Sequence, residues 1–376
     1  MTKVFTIKYQ DHYTQARVGQ IQTNHGLIET PTFVPDATYG AVKHLSSQDL
    51  KKMGLQMILG NIYHLGLRPG IPAIKKLSGL HQFMNWDQPI ITDSGGFQVF
   101  SLVYKNKMGK IVESGIHFQD HLSGKLHFLS PKKSINDQLA IGTDLLMCLD
   151  YPIHPSDLSN ENKISVRLTT KWAKECYQVY KSLLNKLPHQ HAANQPILMA
   201  IIQGANSKLM RKTSFNQLEK ICSWPGYGFG GLPLNEQILQ YTAKLIPSDR
   251  IRYVMGTGTP YNILKAVAMG WDLFDCVIPT RNARHGLLYT FQGELRLTQA
   301  KYALDKKPIE KDCFCEGCLN YSRAYIRHLL KVGEPLGQRL ATLHNLTFYV
   351  KLMKKIRQSI KTNTFQKLLN SLQYNL

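Results

Sequence analysis

The sequence predicts an α/β chain folded as a (β/α)8 TIM barrel, with a cysteine-bearing helical region toward the C-terminus. Three observations point there. Short apolar runs recur eight times, the stretches between them carry helix start and stop signals, and the runs end on polar residues or glycine turns.

The runs, in order, are PTFVPD (31–36), LQMILGN (55–61), PIITDSGG (89–96), DLLMCLD (144–150), ILMAIIQG (197–204), YGFGGL (227–232), RYVMGTG (252–258) and LFDCVIPT (273–280). They are too short for helices and apolar on both faces, as parallel strands covered on each side must be. Between them, SSQDLKKMG begins at Ser46 with Asp49 three residues on and stops at Gly54. Ser130-Pro131 opens a helix ending at Gly142, and Thr259-Pro260 opens one ending at Gly270. Each pairs an N-cap oxygen with a glycine stop, and two add proline in the first turn. A longer helix near 164–187 aligns Trp172, Cys176, Val179, Leu183 and Leu187 on one face. IVESGIHFQDHLSGKLHFLSP reads as a hairpin inserted between the third and fourth strands, turning at Ser123-Gly124. Alternation alone also suits an open doubly wound sheet. In a barrel, Asp36, Asn61, Asp93, Asp150, Gln203, Gly230-Gly231, Gly256 and Asp275 converge on the C-terminal face, where barrel chemistry sits. The expected division is a barrel over 1–300 and a basic helical subdomain over 301–376.

The chain has 46 Lys and Arg against 25 Asp and Glu, a formal charge of +21, which favours a polyanionic partner. Residues 301–376 hold 14 of those cations and only five acids. There YVKLMKKIRQSI places Tyr349, Leu352, Met353, Ile356 and Ile360 on one helical face, with Lys351, Lys354, Lys355 and Arg357 mostly elsewhere. No run reaches the roughly 18 apolar residues of a membrane span, and the N-terminus lacks a signal-peptide core, so a cytoplasmic location is expected.

Cys148, Cys176, Cys222 and Cys276 are scattered in apolar contexts and read as small core residues. Cys313, Cys315 and Cys318 are bunched, and with a histidine they make a tetrahedral donor set for a structural Zn2+. Geometry alone leaves the fourth ligand open between His344 and His328, the latter readable as a helix-surface residue.

DSGGFQVFSL (93–102), IIQG (201–204), GGL (230–232), MGTG (255–258), FDCVIPTRNARHG (274–286) and CFCEGC with its later histidine resemble the bacterial tRNA-guanine transglycosylases, the queuine tRNA-ribosyltransferases. ARVGQIQTNHGLIETPTFVPDAT and LGNIYHLGLRPG match as well, so the resemblance runs from about residue 5 to His344. It implies exchange of guanine at the wobble position of G-U-N anticodon tRNAs for a free 7-deazaguanine base, in queuosine biosynthesis. By resemblance Asp275 is the nucleophile on C1′ and Asp93 the general acid and base. Ser94, Phe97, Asp150, Gln203, Gly230, Gly231, Leu232 and Met255 match base-binding positions, and Thr280, Arg281 and Arg284 match positions that hold the anticodon loop. His344 becomes the matching ligand of one zinc per chain, and a homodimer is implied. The chemistry independently asks for two carboxylates, one to trap the sugar carbon and one to protonate the leaving base.

The chain departs from the family pattern at Asp150-Tyr151-Pro152 and at GGLPLNE. Tyr151 is expected to reshape the pocket, Pro233 to remove a donor, Leu234 to crowd a 7-substituent and Glu236 to favour a cationic arm. The expected incoming base is therefore 7-aminomethyl-7-deazaguanine, with queuine as the alternative. Two other classes compete: a non-catalytic tRNA-binding accessory subunit, which the presence of both Asp93 and Asp275 opposes, and a zinc hydrolase, which a closed metal set opposes.

Overall fold

The computed structural model of the protein describes residues 3–106, 108–153, 159–185, 195–231 and 235–373. The chain opens with an antiparallel sheet of β1 (Phe5–Gln10), β2 (Arg17–Thr23) and β3 (Gly26–Thr30). The barrel begins with β4 (Thr32–Val34), β5 (Asp36–Ala37), β6 (Ile58–Gly60) and β7 (Ile90–Thr92). An antiparallel insert follows, made of β8 (Gly109–Val112), β9 (Gly115–Gln119) and β10 (Leu126–Leu129). The barrel resumes with β11 (Leu145–Met147), β12 (Ile197–Ile202), β13 (Gly226–Phe229), β14 (Ile251–Val254) and β15 (Leu273–Asp275). A hairpin of β16 (Leu287–Thr290) and β17 (Gly293–Arg296) leads into the C-terminal helices.

The parallel sheet has nine hydrogen-bonded segments, in the order β4-β15-β14-β13-β12-β11-β7-β6-β5. β4 and β5 are one run bent at Pro35, so the nine segments make eight staves and the sheet closes. The bend lets one stave serve two neighbours: Val34 pairs with Asp275 on one side, and Asp36 with Leu59 on the other.

Alternation fills both sides of the wall. On β12, Ile197, Met199 and Ile201 join the barrel interior, whereas Leu198, Ala200 and Ile202 join the layer beneath the helices. Phe5, Ile21 and Ile28 also belong to the interior cluster, so the β1–β3 sheet stoppers the N-terminal end of the barrel. Two latches hold it there. Arg17 donates from Nε to Asp272 Oδ1 at 2.9 Å and from Nη2 to Oδ2 at 2.6 Å, and both side chains are buried. His25 donates from Nδ1 to Asp144 Oδ1 at 2.8 Å. Each aspartate immediately precedes a barrel strand. Asp272→Ala would strand a buried guanidinium, and a loss of about 3–5 kcal/mol is expected. Urea unfolding should show a lower midpoint at unchanged slope, and an unchanged midpoint would refute the latch.

The helix starts read from sequence hold. Ser46 and Asp49 form a reciprocal capping box, and Ser130 and Thr259 cap helices with proline in the first turn. The long helix spans Ser159–Leu184, and Leu187 lies outside the described residues. In the helix Pro335–Lys361, Tyr349, Leu352, Met353, Ile356 and Ile360 are buried as expected. Arg357 differs from expectation. It is buried and donates from Nη1 to the Pro31 carbonyl at 2.9 Å, because its stem lies on the apolar face while its head finds a backbone acceptor.

Candidate active site

A cavity of about 260 Å3 opens at the C-terminal ends of the staves, lined by Asp36, Asn61, Asp93, Ser94, Phe97, Gln98, Asp150, Pro152, Gly231, Met255, Asp275 and Val277, among others. Its size is at the lower end for small-ligand sites. Among the described residues no Lys or Arg lines it, whereas four aspartates do.

Asp275 ends β15 and is pinned from the neighbouring stave. Tyr253 Oη donates to its Oδ1 at 2.7 Å and the Gly256 N–H at 3.0 Å. Removal from water pushes its pKa up to about 6, against these two donors, which pull it down. Asp93, just past β7, takes Asn61 Nδ2 on Oδ2 at 2.6 Å and the Ile62 and Gly95 N–H groups on Oδ1 at 3.0 and 3.2 Å. Desolvation, with the charge of Asp36 adding to it, pushes Asp93 up to about 7. Two carboxyls facing one cavity are thus set apart. Burial raises both, Asp93 further than Asp275.

Asp150 is buried and desolvation raises it to about 6, while Gln203 donates from Nε2 to its Oδ2 at 2.7 Å. Gln203 itself stands behind the wall. Gly230 lies against that amide: a Cβ there would come within 2.5 Å of Gln203 Nε2 and push the amide away from Asp150. Gly231 adopts φ 86°, the left-handed region that glycine enters freely. Phe97 is 57% exposed at the rim and offers a flat ring, and Met255 lines the wall below. The expected roles of Leu232, Pro233 and Leu234 fall outside the described residues.

Beyond Asp275 the strand-like reading of Cys276–Ile278 gives way. The chain leaves β15 at once and enters the short helix Ile278–Arg284, with Pro279 in its first turn. Arg281 is exposed on that helix. Arg284 is half-buried, and its Nη1 has no hydrogen-bond partner among the described residues. Thr280 is buried, donating to the Val277 carbonyl at 3.2 Å.

A family model described as queuine tRNA-ribosyltransferase matches residues 11–376. The chain belongs to that family. Proteins named queuine tRNA-ribosyltransferase are similar along nearly their whole length. The one from Shouchella clausii is 46% identical over 354 residues, covering 92% of this chain and 89% of that protein. The one from Fusobacterium nucleatum is 45% identical over 370 residues, covering 96% and 95%, and that of Blochmanniella floridana 44% over 370, covering 96% and 93%. Family membership makes the chain a pentosyltransferase, as the sequence motifs implied.

This family member also brings Cys313, Cys315, Cys318 and His344 together, all buried, with ligand atoms within 4.8 Å of one another. His344 Nδ1 lies 3.3 Å from Cys318 Sγ and 3.9 Å from Cys315 Sγ. A tetrahedral ion with ligand bonds of about 2.0–2.3 Å needs ligand edges of roughly 3.3–3.8 Å, so the set fits. His344 donates from Nε2 to the Tyr289 carbonyl at 2.9 Å, which turns the Nδ1 lone pair toward the thiols. His328 is exposed on a separate helix, Arg323–Val332. A second grouping, His25, His81 and Asp144, sits at the opposite end of the barrel. Its rings stack 3.6 Å apart at 17°, so their in-plane lone pairs run parallel and cannot meet at one ion. His81 instead donates from Nε2 toward Asp144 Oδ2 and the Gln88 carbonyl, both at 3.2 Å.

Two expectations about the departures change. Tyr151 does not line the cavity: its hydroxyl lies 2.7 Å from that of Tyr104 and donates to Glu161 at 3.3 Å, and Pro152 faces the cavity instead. Glu236 is 58% exposed and paired with Lys265 at 2.5 Å, away from the lining. Sequence reasoning missed Tyr253, Gln98 and Arg211. Buried Arg211 donates to the carbonyls of Ile202 and Gly230 at 2.6 and 2.9 Å, bracing the glycine turn. No periodicity marks such residues: Tyr253 and Arg211 act on groups of neighbouring elements, and Gln98 reaches the cavity from a helix.

Proposed function

We propose that the chain exchanges guanine at the wobble position of G-U-N anticodon tRNAs for a 7-deazaguanine base, through a covalent ribosyl-aspartate. The observation that carries this reading is the pair of separated carboxyls, Asp275 and Asp93, in one cavity with Asp150. Asp275 attacks C1′ as the glycosidic bond breaks. The bonding electrons go to the departing guanine, which takes its proton from Asp93. The incoming base returns a proton to Asp93 and attacks C1′ through N9, and the ester bond breaks back to the Asp275 carboxylate. Asp150, positioned by Gln203, and the Gly231 turn meet the donor and acceptor edge of the purine, while Phe97 stacks on its face. Reaching the site requires the nucleotide to leave its stack, and Arg281 and Arg284 beside the mouth suit the flanking phosphates.

Cys313, Cys315, Cys318 and His344 would hold one Zn2+ with no position left for water, so the ion ties the cysteine loop to the helix Pro335–Lys361 and takes no part in exchange. Exposed Phe314, Leu319, Tyr325 and Val332 near that cluster favour self-association into a homodimer. Residues 301–376, with their cationic excess, form the subdomain that meets the RNA backbone.

For the incoming base, the small cavity, rich in carboxylates and with no cation among its described lining residues, favours the compact cationic 7-aminomethyl-7-deazaguanine over queuine. Offering both free bases to guanine-containing tRNA tests this. The aminomethyl base is expected to enter with at least tenfold higher kcat/KM, and preference for queuine would overturn the choice while leaving the reaction class intact.

A further inference from the structure

The mechanism above uses three of the four aspartates that line the cavity and leaves Asp36 without a task. Its place in the barrel is specific. The bent stave of β4 and β5 stands between β15, which carries Asp275, and β6, after which Asn61 holds Asp93. Asp150, Gln203 and the glycine turn come from β11, β12 and β13, on the other side of the rim. A purine gripped there, with its C1′ within reach of Asp275, lays the sugar over β15, β5 and β6. Asp36 is the ionisable side chain on that sugar-facing sector between the nucleophile and the proton donor.

Structural duty does not account for it. Asp36 Oδ1 accepts from the Thr38 hydroxyl at 2.8 Å, a local turn contact that asparagine would make equally well. The carboxylate instead carries a penalty, since its charge raises both Asp93 and Asp275. An ionised carboxylate only accepts hydrogen bonds. Beside C1′, the donor that a ribonucleotide offers is the 2′-hydroxyl, and hydrogen bonds to the hydroxyl next to the reacting carbon strengthen as an oxocarbenium-like centre develops. The nearby negative charge also favours that centre.

We propose that Asp36 accepts a hydrogen bond from the 2′-hydroxyl of the nucleotide whose base is exchanged, making the chain selective for ribose over 2′-deoxyribose at that single position. The inference rests on the transglycosylase reading. It makes Asp36 a specificity-determining residue that touches substrate.

The test uses two anticodon stem-loops, all-ribose or with one 2′-deoxyguanosine at the target, and exchange of radiolabelled guanine by wild type, Asp36→Ala and Asp36→Asn. The ribose-to-deoxyribose ratio of kcat/KM is taken within each variant, so partial misfolding cancels. Loss of a charged hydrogen bond predicts a ratio that falls roughly ten- to hundredfold in Asp36→Ala and less in Asp36→Asn, which keeps an acceptor. A ratio equal in wild type and Asp36→Ala overturns the proposal even where overall activity drops. Absence of any exchange by wild type on the all-ribose stem-loop would instead overturn the transglycosylase reading, and this assignment with it.

Discussion

Asparagine at position 275 is expected to yield no denaturant-resistant protein–RNA adduct and to slow guanine exchange by roughly ten-thousandfold or more, the scale seen when a covalent nucleophile is removed. The substitution is nearly isosteric. The amide oxygen can still accept from Tyr253 and Gly256, so fold and RNA binding persist while the attacking electron pair is lost. In the wild type, a base analogue that stalls turnover should leave the ribosylated protein visible on a denaturing gel. The same pair of carboxyls sets the pH profile. On the proposed roles Asp275 attacks ionised and Asp93 holds its proton, so kcat/KM is expected to rise as pH passes about 6 and to fall as pH passes about 7. An adduct in Asp275→Asn, or a profile flat from pH 5 to 8, contradicts the assignment.

Loss of the metal that Cys313, Cys315, Cys318 and His344 would hold is expected to be the second large effect. Structural zinc sites of this donor type contribute on the order of 10 kcal/mol of folding free energy. The ligands here join the loop at 313–318 to a helix whose further length packs on the barrel, so their loss reaches beyond the local cluster. Leu340 and Ala341 lie with the cysteines, and Leu346 through Ile360 lie in the barrel-side core. Cys318→Ala, or exhaustive chelation, is expected to lower helical circular dichroism and the melting temperature together, with one zinc released per chain. A metal-free protein that melts unchanged would remove the structural role.

The eight staves, the capped helices and the three clustered thiols were legible in the sequence, because each is announced by local pattern: a short apolar run, a serine before a helix, cysteines a few residues apart; His344 joined them only through the family resemblance. The aspartates of the cavity were legible as strand-end polar residues. What surrounds them was not. Tyr253 reads as one more apolar residue of its strand, and only the alignment of β14 with β15 brings its hydroxyl to Asp275. Tyr151 misled for the converse reason. It follows a cavity residue directly, yet the chain turns it outward to Tyr104 and Glu161, and Pro152 takes the inner place. Arg17 and His25 look like ordinary loop and strand residues until the barrel floor delivers Asp272 and Asp144 to them.

The bent first stave has a consequence for how the protein comes into being. Val34 beds against Asp275, so β15 is the last parallel partner to be synthesised and it must find the first. At about 5–20 residues per second, the two emerge from the ribosome roughly ten to fifty seconds apart. The sheet can therefore seal only after β15 has emerged, and the cavity that Asp275 lines is completed by the same event that closes the barrel.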